Sequence, residues 1–118
     1  VILIPPNIAL KRQGEIMKHV QHDIHAGEKE TSIMMYLCKE HVKPFVPQQA
    51  PTVVPQDFMD YFDVTEITED GYWGFPEEAT AEKGQKMLDL TLECALDYLA
   101  EIERVRKRIE TRGKTRGS

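Results

Sequence analysis

The chain has 118 residues, enough for one modest hydrophobic core and too few for several independent domains. Its 41% hydrophobic and 30% charged residues are ordinary for a soluble globular protein, and a net charge of −5 argues against a general nucleic-acid-binding protein. No apolar run approaches the ~20 residues that cross a bilayer, and the two cysteines lack metal-type spacing. We therefore expect a cytoplasmic protein without membrane or nucleic-acid partners.

The first residues predict a strand. Val1 to Ile4 form a continuous apolar run closed by two prolines, which is typical of a strand buried on both faces and not of a signal peptide. Residues 7–13 predict a loop or a single turn, and the pattern over residues 14–22 is too short to assign.

A polar segment then leads into a helix. His22 to Ser32 contain two imidazoles, several carboxylates, a glycine and two hydroxyls, and the chain turns apolar immediately afterwards. So many titratable groups favour a loop that enters a site and ends at the N-terminus of a helix, where free N–H groups face the site. The helix is predicted from about Glu28 to Glu40, with its apolar face formed by Ile33, Met34, Leu37 and Cys38.

The middle of the chain is rich in proline and aromatic residues. Four prolines between Lys43 and Gln56 predict an extended segment that wraps over a surface or a neighbouring subunit. Beyond it, Phe58 to Phe62 predict one helical turn and Val64 to Ile67 a strand. The segment Gly71 to Pro76 predicts a rigid loop that presents aromatic rings.

The last third predicts one long amphipathic helix. Thr80 is a suitable N-cap, and the apolar positions that follow it recur at gaps of three and four residues: Leu88, Leu92, Ala95, Leu99, Ile102, Val105 and Ile109. The far end of such a helix exceeds what a small domain can cover, so it projects into solvent or packs on another subunit. We assign residues 1–103 to the domain and residues 104–118 to a basic helix end with a flexible tail.

Two motifs resemble those of the creatininase (creatinine amidohydrolase) family. His25-Ala26-Gly27-Glu28-Lys29-Glu30-Thr31-Ser32 is similar to the family's His-Ala-Gly-Glu-x-Glu-Thr-Ser signature. Gly71 to Pro76 followed by Ala79 to Gly84 is similar to its Gly-x-x-Gly-x-Pro…Ala-Thr-Ala-Glu-Lys-Gly segment. The resemblance runs from about Val1 to about Leu99 and covers the C-terminal half of the family's fold. It implies an α/β fold with a layered sheet flanked by helices, represented here by its C-terminal portion.

The resemblance also implies roles for particular residues. His25 would be the catalytic residue that shuttles a proton to the leaving nitrogen when a carbon–nitrogen bond is hydrolysed, a task that suits imidazole. Glu30 would orient His25 or bind substrate. Glu28, Thr31 and Trp73 are candidate substrate-binding residues. Each also has a possible structural role: Glu28 would complement the helix dipole, Thr31 would cap the helix, and Trp73 would pack locally.

The family's metal-binding motifs do not occur in this sequence. Its members bind two divalent ions, usually zinc or manganese, through a Glu-x-His-Gly-x-His stretch, a nearby aspartate and an Asn-Gly-His-x-x-Asn segment, and all three are missing here. The complete enzyme would therefore hold the two ions through ligands outside this chain, which alone would be catalytically incomplete. We expect it to assemble as a homo-oligomer or with a complementing N-terminal half.

Three functions follow. The first is a metal-dependent hydrolase that cleaves a cyclic amide or a formamide-type small molecule. The second is a non-catalytic subunit that binds a partner through the proline-rich segment and the long helix. The third is a small metal-binding domain in which His19, His22 and His25, spaced by three residues, share an ion.

Overall fold

A computed structural model of the chain describes residues 1–44 and 56–117. Helix α1 spans Glu28–Leu37, α2 spans Val64–Ile67 and α3 spans Ala81–Arg116. Short 3-10 helices lie at Leu10–Glu15, Lys39–His41, Gln56–Asp60 and Pro76–Glu78. Within these ranges no helix has both the length and the apolar content that crossing a bilayer requires.

The predicted layered α/β sheet is wrong for the described part of the chain. Residues 1–44 and 56–117 contain no strand, and their only β-type pairing is an isolated antiparallel bridge between His25 and Trp73. Val1–Ile4, predicted as a buried strand, has no ladder partner there, and each of its four side chains is exposed. An apolar run becomes a buried strand only when neighbouring strands satisfy its backbone and cover its faces, and these residues find neither.

The strand predicted at Val64 to Ile67 is also wrong, because these residues form α2. Asp63 precedes them and accepts a hydrogen bond from the backbone N–H of Thr65, while the Glu66 carboxylate accepts one from the backbone N–H of Asp63. This reciprocal capping favours a helical turn over the extended conformation that the β-branched residues suggest.

Helix α1 begins at the predicted residue and ends earlier than predicted. It stops at Leu37 because Cys38 leaves the helical conformation, and the 3-10 turn Lys39–His41 follows. Its predicted apolar face is only partly confirmed: Ile33 packs on the core, whereas Met34 and Leu37 are exposed. The side chains fully buried on this helix are those of Glu28 and Ser32, both polar.

The core lies between α1, α3 and the segment before α1. Buried Ala9, Met17, Met87 and Leu90 form its centre, and partly buried Ile16, Ile33 and Cys94 pack against them. The two cysteines, Cys38 and Cys94, are unpaired and half-buried.

A glycine sets the distance between α1 and α3. A Cβ atom added at Gly84 would overlap the backbone oxygen of Ser32 and lie 2.9 Å from the nitrogen of Ile33. The backbones of the two helices therefore meet directly, and only glycine fits at this position.

Helix α3 is the long helix that the sequence predicts. Thr80 caps it by accepting a hydrogen bond from the N–H of Lys83 at 3.1 Å, which confirms the predicted N-cap. Its 36 residues correspond to about 54 Å at 1.5 Å per residue, and α1 packs only near its beginning. The helix is continuous across residue 104, and the division of the chain there stays a prediction. The predicted proline-rich segment, residues 43–56, lies largely outside the described residues.

Candidate functional site

The two sequence motifs meet at a short antiparallel bridge. The N–H of His25 donates to the carbonyl of Trp73 at 2.9 Å, and the N–H of Trp73 donates to the carbonyl of His25 at 2.8 Å. The N–H of Ile24 also donates to the Trp73 carbonyl, at 2.8 Å. The backbone of His25 is therefore fixed by a residue 48 positions away, while its side chain remains exposed.

Asp23 joins this bridge to the start of α1. One of its carboxylate oxygens, Oδ1, accepts hydrogen bonds from the N–H groups of Glu28, at 2.6 Å, and Phe75, at 3.0 Å. The other, Oδ2, accepts from the N–H of Lys29 at 3.1 Å. Because the N-cap residue Gly27 has no side chain, Asp23 satisfies the free N–H groups of the first turn in its place. A carboxylate there also complements the helix dipole.

Two glycines make room for this carboxylate. A Cβ added at Gly27 would overlap Oδ1 of Asp23, and one added at Gly74 would overlap the same atom and lie 2.7 Å from the Cα of Gly27. The glycines of the two motifs are therefore needed for a close approach around Asp23.

A strained turn follows His25. Ala26 has a φ of +48°, in the left-handed region that residues with a side chain rarely adopt. The Glu30 carboxylate accepts a hydrogen bond from the N–H of Ala26 at 2.5 Å, and the hydroxyl of Thr31 donates to the Ala26 carbonyl at 3.3 Å. Glu30 and Thr31 thus bind the backbone N–H and the carbonyl of Ala26, the residue next to His25. These two hydrogen bonds fix the conformation of the turn that carries the imidazole.

Glu28 lies in the interior and is saturated by protein donors. Its side chain is 0% exposed and accepts hydrogen bonds at 2.8 Å from the N–H groups of Lys18 and His19 and from the Lys83 ammonium. Burial by itself raises the pKa of Glu28, but the hydrogen bond from Lys83 and those from the two backbone groups outweigh it, so the pKa lies below its usual value. The Lys83 ammonium also donates to the carbonyl of Glu78 at 2.9 Å.

Further contacts fix the segment before the loop. The ring of His19 stacks on Phe75, with ring centroids 3.7 Å apart and ring planes 15° from parallel. The Lys18 ammonium donates to the Glu78 carboxylate at 2.9 Å, which lowers the pKa of Glu78 below its usual value. The hydroxyl of Ser32 accepts a hydrogen bond from the N–H of Thr80 at 3.2 Å. Residues 18–32 and 73–84 are therefore tied together at several points.

The predicted site residues fall into two groups. His25, Glu30 and Thr31 share one turn, and Glu30 and Thr31 border an open cavity of about 220 Å³ that is also lined by Ala26, Met34, His41 and Val42. Glu28 and Trp73 are buried beneath this turn, and Trp73 is only 3% exposed. The bridge joins the Trp73 backbone to His25, and a substrate contact by either buried side chain stays a prediction.

Sequence reasoning gave no site role to Asp23 or Lys83. An acidic residue shortly before a predicted helix whose N-cap is glycine was a usable signal for Asp23. The partner of Lys83 lies 55 residues away, and no local pattern indicates it.

The described residues do not fit the pair of divalent ions that the resemblance implies. Within residues 1–44 and 56–117, no three histidine, cysteine or acidic side chains are grouped so that they could hold a metal. The carboxylates of Asp23, which is partly buried, and of Glu28, which is buried, are occupied by N–H groups and by Lys83. The same finding overturns a metal site made of His19, His22 and His25.

Comparison with known proteins agrees with the motifs. A sequence model described as Creatininase, creatinine amidohydrolase, matches residues 5–99, which include both motifs, all of α1 and the part of α3 up to Leu99. The match places the chain in a class of hydrolases whose function is of amidohydrolase type. The chain belongs to the creatininase family. Searches of curated proteins and of solved structures gave no match.

Proposed function

We propose that this chain supplies the proton-transfer group and part of the substrate wall of a hydrolase that cleaves a carbon–nitrogen bond in a cyclic amide or formamide-type small molecule. The observation that carries the proposal is the setting of His25: its side chain is exposed, while its backbone is fixed by Trp73 and its neighbour Ala26 by Glu30. A titratable side chain on a rigid, partly strained turn is the arrangement that acid–base catalysis requires.

In this mechanism His25 moves one proton. A water molecule adds to the substrate carbonyl and loses a proton to the imidazole, and the imidazolium then gives that proton to the nitrogen as the carbon–nitrogen bond breaks. The products are a carboxylic acid group and an amine. Imidazole serves both steps because both of its protonation states are accessible near neutral pH. We assign no step to a metal ion, because the described residues do not fit one.

Glu30 and Thr31 are positioning residues that also border the substrate. Each holds one polar group of Ala26, and each lines the cavity of about 220 Å³ beside it. This volume lies below the ~300–1,000 Å³ typical of drug-sized ligands, which favours a small substrate. Glu28 and Trp73 support the turn from beneath, Glu28 through Lys18 and His19 and Trp73 through the bridge.

The test is hydrolysis by the intact native protein of a panel of five-membered cyclic amides and N-formyl compounds, measured as amine release. We expect His25→Gln to lower the turnover of the substrate that is cleaved by about 10²–10⁴-fold. His22→Gln is the matched control, because His22 is also exposed and lies three residues away, and it should keep the wild-type rate. Equal rates for the two variants would remove His25 from the mechanism.

The alternative is a non-catalytic subunit that serves assembly. The apolar residues left exposed on α3 favour it, since large exposed apolar surfaces mark interaction sites. Amine release separates the two functions. The alternative predicts that the intact protein forms a stable assembly and releases no amine from any compound of the panel.

A further inference from the structure

A cavity of about 210 Å³ lies between the N-terminal segment, α1 and α3. It shares no lining residue with the cavity beside Glu30. All three elements give it aliphatic walls: Leu10 from the first 3-10 helix, Ile33 from α1, and Met87 and Leu88 from α3. Because Met87 belongs to the core and Ile33 packs against it, the cavity opens directly onto the hydrophobic core. The proposed catalytic function uses none of these aliphatic residues.

Three polar side chains border this cavity without a protein partner. Gln13 is only 6% exposed, yet its side-chain amide forms no hydrogen bond with any described residue. Within residues 1–44 and 56–117, the amide of Asn7 and the ammonium of Lys29 also form no hydrogen bond or ion pair. A buried amide without a partner is unfavourable, because it gives up its hydrogen bonds to water and gains none in return. A polar ligand in the cavity would restore these hydrogen bonds.

Lys29 determines the charge of the ligand that fits. It is half-buried, its backbone N–H donates to Asp23 at 3.1 Å, and it is the one charged residue among the described residues that line the cavity. The amides of Asn7 and Gln13 add further N–H donors. An ammonium group with amide donors beside it suits a carboxylate, which accepts several hydrogen bonds at once. The aliphatic walls suit a hydrocarbon chain attached to that carboxylate.

We propose that this cavity binds a small aliphatic carboxylic acid in its ionised form. The Lys29 ammonium and the Gln13 amide donate to the carboxylate, and the hydrocarbon chain lies against Ile33 and Met87. Asn7 offers a further donor at the exposed rim. The volume of about 210 Å³ lies below the ~300–1,000 Å³ typical of drug-sized ligands, which favours a short chain. The site does not depend on the proposed catalytic function.

Isothermal titration calorimetry of the full chain with sodium hexanoate tests the site. We expect saturable binding of one hexanoate per chain, and weaker binding of butanoate, since each methylene group lost from an apolar cavity lowers the affinity about fourfold. Hexan-1-ol has the same chain without the charge, and it should bind at least about tenfold more weakly than hexanoate because it forms no charge-assisted hydrogen bond. No saturation below about 10 mM hexanoate, or equal affinities for the acid and the alcohol, would overturn the proposal.

Lys29→Met tests the carboxylate contact. The substitution keeps the backbone N–H that donates to Asp23 and removes the charge, so it should weaken hexanoate binding at least about tenfold. Lys11→Met is the matched control, because Lys11 is exposed and does not line the cavity. Its affinity for hexanoate should stay within about twofold of the wild type at ~0.15 M salt. Equal losses of affinity in the two variants would overturn the proposal.

Gln13→Leu separates a ligand contact from a structural role. Leucine is apolar and of similar size, so the variant should bind hexanoate about 2–10-fold more weakly than the wild type. The thermal midpoint of the free protein should stay at or above that of the wild type, because an unpartnered buried amide has been removed. A lowered midpoint would mean that the protein itself satisfies this amide and would overturn the proposal, as would an unchanged affinity for hexanoate.

Discussion

Replacing Asp23 by alanine is the sharpest perturbation of the site. Its carboxylate accepts from three N–H groups, two in the first turn of α1 and one in the loop that carries Trp73. No other residue joins the start of α1 to this loop in the same way within the described part of the chain. The substitution therefore removes a helix cap and a tertiary contact together.

The expected loss of stability follows from these contacts. Removing a capping side chain costs about 1–2 kcal/mol. Leaving the partly buried N–H of Phe75 without an acceptor costs about 1–3 kcal/mol more. We therefore expect Asp23→Ala to lower the free energy of unfolding by about 2–5 kcal/mol, a large part of the ~5–15 kcal/mol typical of a domain.

Urea unfolding followed by circular dichroism measures this loss. The midpoint should fall while the slope stays that of the wild type, since the folded and unfolded states keep their exposed areas. Asp63→Ala is the matched control: Asp63 also caps a helix, but α2 is short and exposed, so its loss should be smaller. A free energy of unfolding for Asp23→Ala within about 0.5 kcal/mol of the wild type would refute the role given to this carboxylate.

Two further predictions concern packing and the buried carboxylate. Gly84→Ala should destabilise the protein by about 1–3 kcal/mol, because the added methyl group meets the Ser32 backbone. A methyl group added at Gly113 meets nothing within 4 Å, so Gly113→Ala should stabilise the helix by up to ~1 kcal/mol. Thermal unfolding measures both changes. Glu28→Gln should cost about 3 kcal/mol, because it leaves the Lys83 ammonium without its ion-pair partner. The folded-state pKa of Glu28 lies below the usual 4.5, so its contribution is complete above about pH 4.5 and is lost as the pH falls through the folded-state pKa. The difference between wild type and Glu28→Gln should therefore shrink in acid, and a difference independent of pH would contradict this role.

Local signals predicted the two longer helices, α1 and α3. The start of α1 and the N-cap of α3 at Thr80 follow from residue types at fixed offsets, and the continuation of α3 as far as Ile109 follows from its apolar period. The family motifs, which also depend only on the order of residues, contain His25 and Trp73, and the structure joins the backbones of these two residues by a bridge.

Non-local partners set the limit of prediction. The apolar run Val1–Ile4 has the composition of a strand, but strand formation depends on neighbours that the run itself does not specify, and none lies beside it in the described residues. Val64–Ile67 has β-branched residues, but Asp63 and Glu66 determine its conformation through capping. Asp23 and Glu28 find their partners through tertiary contacts up to 55 residues distant, so their roles emerged only with the fold.

The central claim is that the imidazole of His25 carries the proton that the leaving nitrogen needs. The most direct test is amine release by His25→Ala in the intact native protein, with and without added imidazole, beside His22→Ala. We predict that His25→Ala loses turnover and regains part of it with free imidazole, which can enter the space beside the exposed turn, while His22→Ala does neither. Wild-type turnover by His25→Ala in the absence of imidazole would contradict the claim.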